Sequence, residues 1–322
     1  MSLEVSIIMP AYNSAKYICD AIMSVQNQKT SLSTELIIVD DGSTDNTVAI
    51  IKDMQKRFPS IKLFVQANLK QSAARNKGLY HSKGKYIMFM DSDDIMLPGM
   101  IEKMHREIIH KKLVVCGIKK QFKAHAALEV ESVLENTTEQ DRMIAAYLTR
   151  NKEMDVGLWN KMFRRDILDD QRMENGNFFE DSLFVLDYLL KIKPQDIGFI
   201  HEPLYVLFKH SDTTTTCYNS DIDILSLSYM EKVKSRIQEK GTFDNRFFQV
   251  FVARTILHVI HHHIKYDNGW EPRKQISILR KNGLNYDIEL NPWLKNKYKI
   301  AFFLAIFFPK LYIKLYRKNI NA

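Results

Sequence analysis

Four short strand-like runs alternate with helix-like segments in the first part of the chain, and this alternation restricts what it can fold into. The runs are Val5–Met9, Leu36–Val39, Lys62–Val65 and Tyr86–Met90, and the segments between them lie near Ala15–Gln26, Thr44–Arg57 and Ser72–His81. Neighbouring strands joined through a helix cannot pair as hairpins. They predict βαβ units and an α/β fold with a mostly parallel sheet. The ends of parallel strands share one sheet edge, where open α/β folds bind their ligands. Polar clusters occupy that edge: Pro10-Ala11-Tyr12-Asn13 after the first strand, Asp40-Asp41-Gly42 after the second and Asp91-Ser92-Asp93-Asp94 after the fourth.

The last cluster has a specific chemistry. In an extended chain residues i and i+2 point the same way, so Asp91 and Asp93 can present two carboxylates to one point. Two hard oxygen ligands with open positions beside them suit Mn²⁺ or Mg²⁺ carrying a diphosphate. The plainer reading is a turn that caps the next helix, which Pro98 can open. Asp40 suits a cap on the Gly42 turn. Arg75 is placed either to reach phosphates or to pair with a carboxylate on its own helix.

Charge and cysteine usage exclude other classes. The net charge is +8, but residues 291–322 contain Lys295, Lys297, Lys299, Lys310, Lys314, Arg317, Lys318 and no acid. Seven of the eight charges therefore belong to the tail, which argues against nucleic acid as a partner of the main body. Cys19, Cys116 and Cys217 are too far apart for a zinc site and odd in number, which predicts a reducing compartment. No signal-peptide pattern precedes the first strand.

Beyond residue 116 the pattern is less regular. A helix near Glu139–Arg150 precedes Trp159–Phe163, a second helix starts at Glu180-Asp181, and a strand covers Ile197–Phe208. After Asp221 the chain reads as helical over Ile222–Gln238, Arg246–Lys265 and Trp293–Arg317. His261-His262-His263 lie within one of these helices and point to different faces, so they read as structural rather than as a chelate.

Taken in order, Ser6–Asn13, Val39–Asp45, Ala74–Gly78, Asp91–Asp94 and Glu180-Asp181 resemble the inverting glycosyltransferases of family 2, with their nucleotide-sugar-binding GT-A fold. The resemblance spans roughly residues 4–215. It implies a Rossmann-like nucleotide-binding half (1–115) and an acceptor half (116–215), whereas the helical C-terminal region (216–322) with its basic amphipathic tail (293–318) is read from the residues alone. It implies a donor pocket of Pro10, Ala11, Tyr12, Asn13, Asp41, Arg75, Asp91 and Ser92. In that pocket Tyr12 stacks on the base, Asp41 accepts its ring N–H, which favours uracil, and Asp91 contacts the ribose. Asp93 ligates the metal, with His210 completing the site, and Asp94 is left open between metal ligand and turn. Asp181 is the general base, and Glu180 and Lys209 flank the acceptor or diphosphate. Trp159 either floors the acceptor sugar or packs in the core.

Two departures matter. Lys70-Gln71 stand where relatives usually carry Gly, and the chain lacks both the Gln-x-x-Arg-Trp signature and the long membrane spans of processive synthases. The first implies a stiffer loop or a Lys70 contact to phosphate; the second, with Asp41 favouring uracil, implies transfer of a single hexose or N-acetylhexosamine from a UDP-sugar to a glycan hydroxyl. The alternatives are a sugar nucleotidyltransferase, which lacks its glycine-rich loop here, and a silent nucleotide-sugar-binding subunit. In the tail, Ile300–Phe308 is too short to span a bilayer and Pro309 should break the helix. Beyond it Lys310, Lys314, Arg317 and Lys318 are expected on one face, with Leu311, Tyr312, Leu315 and Tyr316 on the other. Such a helix suits an anionic membrane surface, which predicts a cytoplasmic protein peripheral to the inner face of the cell membrane acting on a lipid-linked acceptor. Docking onto the protein, or a contact between copies in a homo-oligomer, is the competing expectation.

Overall fold

A computed structural model describes residues 3–174, 179–209, 219–241, 245–267, 269–282, 284, 288 and 290–320. Its strands are β1 (Val5–Ala11), β2 (Thr34–Asp40), β3 (Ile61–Val65), β4 (Tyr86–Phe89), β5 (Ile95–Met96), β6 (Leu113–Gln121), β7 (Ala126–Glu129), β8 (Lys161–Arg164) and β9 (Ile197–Phe208). They form one sheet in the order β3-β2-β1-β4-β8-β6-β9-β5, with β7 paired to β6.

The first four strands are parallel, as their helical crossovers require. Ile7, Ile8, Ile37, Ile38, Ile87 and Met88 are fully buried, which explains why these strands read as continuous apolar runs rather than alternating ones. Beyond β4 the sheet becomes mixed. β8 runs antiparallel to both β4 and β6, and β6 is parallel to β9 with an irregular register at Cys116–Ile118. The expected division at 115/116 therefore falls inside β6, and both halves share one sheet.

Register sets the functional edge. Ala11 pairs with Asp40, so the loops after β1 and β2 leave at the same level, and Phe89, the last residue of β4, pairs with Ile8, so its loop leaves the same sheet edge lower down. Because β8 is antiparallel, it begins where β4 ends, and Trp159-Asn160-Lys161 arrive at that edge from the other direction. The helix Lys70–His81 lies so close to β1 that a Cβ at Gly78 would sit 2.4 Å from Ile8 Cγ2. Only glycine fits there.

The chain separates into two compact units, residues 1–144 with 151–210, and 145–150 with 211–322. The expected boundary at 215/216 lies outside the described residues. The second unit is helical, with helices at Ile222–Glu239, Asn245–Tyr266, Pro272–Lys281, Asn296–Phe307 and Pro309–Ile320. Val233, Ile237, Ala253, Ile260, Phe302 and Ala305 form part of its core. The three histidines separate as their helical spacing dictates. His261 stacks on Tyr316, His262 Nε2 accepts the Asn219 N–H, and His263 pairs with Asp223.

The tail differs from the sequence expectation in one respect. It breaks at Phe308, as Pro309 predicts, but Tyr312 and Tyr316 do not share the outward apolar face. Tyr312 is buried with its hydroxyl 2.7 Å from His261 Nε2, and Tyr316 stacks on the same imidazole. The Arg317 guanidinium turns in toward the carbonyls of Ile264 and Asp267. A phenol with a polar partner available in the protein gains more by meeting it than by facing outward.

Candidate active site

Loop chemistry at the sheet edge builds one side of the candidate site. Asp40 is fully buried, and its Oδ2 accepts the N–H groups of Gly42 (3.1 Å) and Ser43 (3.0 Å), which closes the turn. Gly42 has φ +79°, and a Cβ there would meet Asn68 N at 3.1 Å, so this turn requires glycine. Asn13 adopts φ +48°, a conformation Asn tolerates. Its Oδ1 accepts the Thr44 N–H at 2.8 Å and its own N–H donates to Ser43 Oγ at 2.8 Å, so it clips the first two loops together. Pro10 and Ala11 close β1. The ring of Tyr12 is 48% exposed, which rules out core packing.

Asp41 is buried, and its Oδ1 accepts both Gln66 Nε2 and the Leu69 N–H at 2.8 Å. Gln71, two residues further on, donates to Glu180 Oε1. The segment 66–71 thus ties the Asp41 loop to the Glu180-Asp181 pair. Lys70 in this segment has φ +72°, the left-handed region that favours glycine.

At the end of β4 the four residues separate in role. Ser92 Oγ lies 2.7 Å from Ser14 Oγ, joining this loop to the first. Asp94 is buried and spent on structure: Oδ2 accepts the Tyr205 hydroxyl at 2.8 Å and Oδ1 the Phe208 N–H at 2.9 Å. The Tyr205 hydroxyl in turn accepts the Asp91 N–H. Burial, with Asp91 and Asp93 adding negative charge, holds the Asp94 carboxyl well above the usual range. Asp94 therefore anchors β9 and is not left for a metal. Asp93 stays partly exposed.

Arg75 does not pair with a carboxylate on its own helix but grips two from other segments. It is 2% exposed, with Nη1 2.8 Å from Asp181 Oδ1 and Nη2 2.8 Å from Asp91 Oδ1. Burial alone would weaken its protonation, but Asp181, Asp91 and Glu180 override that and hold it charged. One guanidinium thus serves three carboxylates. Glu180 is buried, and its Oε2 has no hydrogen-bond partner among the described residues. Asp181 keeps 28% of its side chain exposed. Enclosure by protein, reinforced by the charges of Glu180 and Asp91 against those of Arg75 and Lys161, raises its carboxyl to about 7. A partly exposed carboxylate raised to about 7 can exchange a proton near neutral pH.

A pH profile should show this. As a general base Asp181 would act only when ionised, so kcat/KM is expected to rise with pH through an acid limb near 7. Glu180→Gln removes a charge that disfavours ionisation of Asp181 and is expected to move that limb to lower pH. A limb that stays in place would separate Glu180 from the base.

The remaining site residues are placed differently from expectation. Trp159 is 5% exposed and stacks on Tyr205 at 5.2 Å, so it packs in the core and offers no open floor to a sugar. Its neighbours explain the segment. Asn160 Nδ2 donates to the Cys116 and Met154 carbonyls, and the buried Lys161 Nζ donates to the Met154 and Gly157 carbonyls at 2.6 Å. Lys209 forms an ion pair with Glu153 rather than standing free for a diphosphate. His210 lies outside the described residues. Sequence reasoning missed Tyr205, Gln66 and Gln71 as parts of the framework, and the only signal for them was proximity to the recognised motifs.

The donor set fits a divalent metal held mainly by substrate. Asp94 is committed and Asp91 Oδ1 is taken by Arg75. Asp93 is partly exposed two residues along the same loop from Asp91, and Mg²⁺ or Mn²⁺ sites in phosphate-transferring proteins commonly use one or two carboxylates plus phosphates.

A parallel nucleotide-binding sheet, continued by antiparallel strands that close its edge, is the architecture of GT-A glycosyltransferases. The chain belongs to this class and, within it, to glycosyl transferase family 2, whose sequence model matches residues 6–172. It is therefore a glycosyltransferase. It is 26% identical over 264 residues to a cholesterol galactosyltransferase of Borreliella burgdorferi, covering 77% of this chain and 73% of that one. The structure of S. aureus TarS residues 1–349 in complex with UDP-GlcNAc superimposes with a TM-score of 0.69 at 19% identity, covering 98% of this chain and 90% of that one. A mannosyltransferase from Pyrobaculum calidifontis in complex with GDP-Man and Mn²⁺ superimposes with a TM-score of 0.51 at 12% identity, covering 98% and 86%.

Proposed function

We propose that this enzyme transfers a single hexose or N-acetylhexosamine, with inversion, from a UDP-sugar to a hydroxyl of a lipid-linked glycan in cell-surface polysaccharide synthesis. The observation that carries this reading is the partly exposed Asp181, held by a buried arginine that also grips Asp91. Asp181 accepts the acceptor's hydroxyl proton as that oxygen bonds to the anomeric carbon. The bond from that carbon to the diphosphate breaks on the opposite side, and UDP leaves with the electron pair. Asp41 and the exposed Tyr12 hold the base, Asp91 is adjacent to the ribose, and Arg75 fixes Asp91 and Asp181 relative to each other.

A divalent metal, when bound, supplies charge neutralisation for the departing diphosphate. Asp93 would hold it, with His210 as a second candidate. The UDP-GlcNAc bound to TarS and the Mn²⁺ bound to the Pyrobaculum enzyme support the donor class and the metal. The cholesterol acceptor named for the Borreliella relative supports an acceptor with a lipid part. The acid-free, basic tail supports a position at the inner membrane face.

The test is to screen UDP-sugars for donor hydrolysis with Mn²⁺. One donor is expected to be turned over, with EDTA abolishing turnover and excess Mn²⁺ restoring it. Asp93→Ala should weaken Mn²⁺-dependent UDP binding. Turnover that persists after chelation would refute the metal, and no turnover of any UDP-sugar would refute the donor class.

A further inference from the structure

The last two helices carry an apolar face that is exposed among the described residues. On Asn296–Phe307, Ile300, Phe303 and Phe307 follow i, i+3, i+7 spacing and are 62%, 39% and 51% exposed, while Phe302 and Ala305 are buried. Phe308, at the break, is 49% exposed, and its ring lies 5.8 Å from that of Phe303, which is 5.3 Å from Phe307. Leu311 and Leu315, one turn apart on the next helix, are 45% and 43% exposed. Lys310, Lys314 and Lys318 repeat every four residues on the same helix and are all exposed. The segment 291–322 contains no acid.

We infer that this helix pair is a lipid-binding surface, which lays Phe303, Phe307, Phe308, Leu311 and Leu315 into the interfacial layer of an anionic phospholipid bilayer. The inference deepens the membrane-side location proposed above by naming the surface responsible, and it does not depend on the transfer chemistry. Charge selects the occupant. Aromatic and aliphatic side chains beside a row of lysines match the apolar interior and anionic headgroups of a bilayer. A second copy would bring the same lysines against each other. No helix among the described residues is long and apolar enough to cross a membrane, so the attachment is interfacial. The inward turn of Tyr312 and Tyr316 onto His261 leaves the phenylalanines and leucines as the lipid-facing set.

The experiment is co-sedimentation of the full chain with phosphatidylcholine vesicles, with and without phosphatidylglycerol. Each variant is also assayed for UDP-sugar hydrolysis and run in sedimentation velocity without lipid. The wild type is expected to pellet with the phosphatidylglycerol vesicles only. Lys310→Gln/Lys314→Gln/Lys318→Gln should lose binding on the order of a hundredfold, and Phe307→Glu/Leu311→Glu at least about tenfold. Both variants should keep wild-type hydrolysis, which shows that they remain folded. Vesicle binding unchanged in both variants would overturn the surface, as would a wild type that ignores anionic vesicles. A dimer that Phe307→Glu/Leu311→Glu converts to monomer, without vesicle binding by the wild type, would assign the face to a second copy instead. Loss of all UDP-sugar hydrolysis alongside intact vesicle binding would count against the proposed reaction and leave this surface standing.

Discussion

Asp181→Asn is expected to lose sugar transfer by about 10²- to 10⁴-fold in kcat, the usual weight of a positioned general base, while UDP binds as in the wild type. The amide has the shape of the carboxylate and can still accept a hydrogen bond from Arg75 Nη1 at the Oδ1 position. It cannot take a proton. The defect should therefore appear in turnover, measured as transfer to acceptor, and not in the UDP dissociation constant measured by calorimetry. Because the buried cluster loses one of three carboxylates around one guanidinium, the variant should be no less stable to denaturant than the wild type. Full transfer activity in this variant would remove Asp181 from the chemistry. Weakened UDP binding would instead show that Asp181 acts through Arg75 and Asp91 on the donor.

The second large effect is on stability. Arg75→Met removes the one cation shared by Asp91, Asp181 and Glu180. Removing one partner from a buried ion cluster leaves uncompensated charge, at about 3–5 kcal/mol. Urea unfolding at neutral pH measures it. The sign with pH follows from Asp181, whose carboxyl is already raised to about 7 in the intact cluster. A group raised on folding contributes stability at low pH that is lost as pH climbs through its folded value. Without Arg75 that loss deepens, so the deficit of the variant should widen above neutrality and narrow in acid. Arg75→Lys should recover only part of the loss, since an ammonium cannot bridge two carboxylates as a planar fork does. A neutral result at all pH values would mean that the cluster is solvated and that the arginine does not organise it.

Much of the donor half was legible in the residues because its signals are local. Continuous apolar runs identify strands buried on both faces, Gly42 marks a left-handed turn and Asp40 caps it. The order of the acidic loops along the chain, combined with parallel strands, already places them on one edge. The helix break before Pro309 was equally local.

Other assignments depended on partners distant in sequence. Asp93 and Asp94 are adjacent and chemically identical, yet Asp94 is consumed by Tyr205, 111 positions away, and only β9 could reveal that. Arg75 meets Asp181 across 106 positions. Trp159 is exposed or buried according to whether Tyr205 lies over it. In the tail, periodicity showed that the two tyrosines and two leucines could share a broad face, but the position of His261 drew the tyrosines inward and left the leucines out. The sequence by itself determined the strand order of the motifs, the turn chemistry and the family. The tertiary structure alone decided which carboxylates share the arginine, which one is spent on scaffolding and which tail residues face outward. The reason is physical: periodicity and propensity act over a few residues along the chain, whereas burial and ion pairing depend on which surfaces meet after folding.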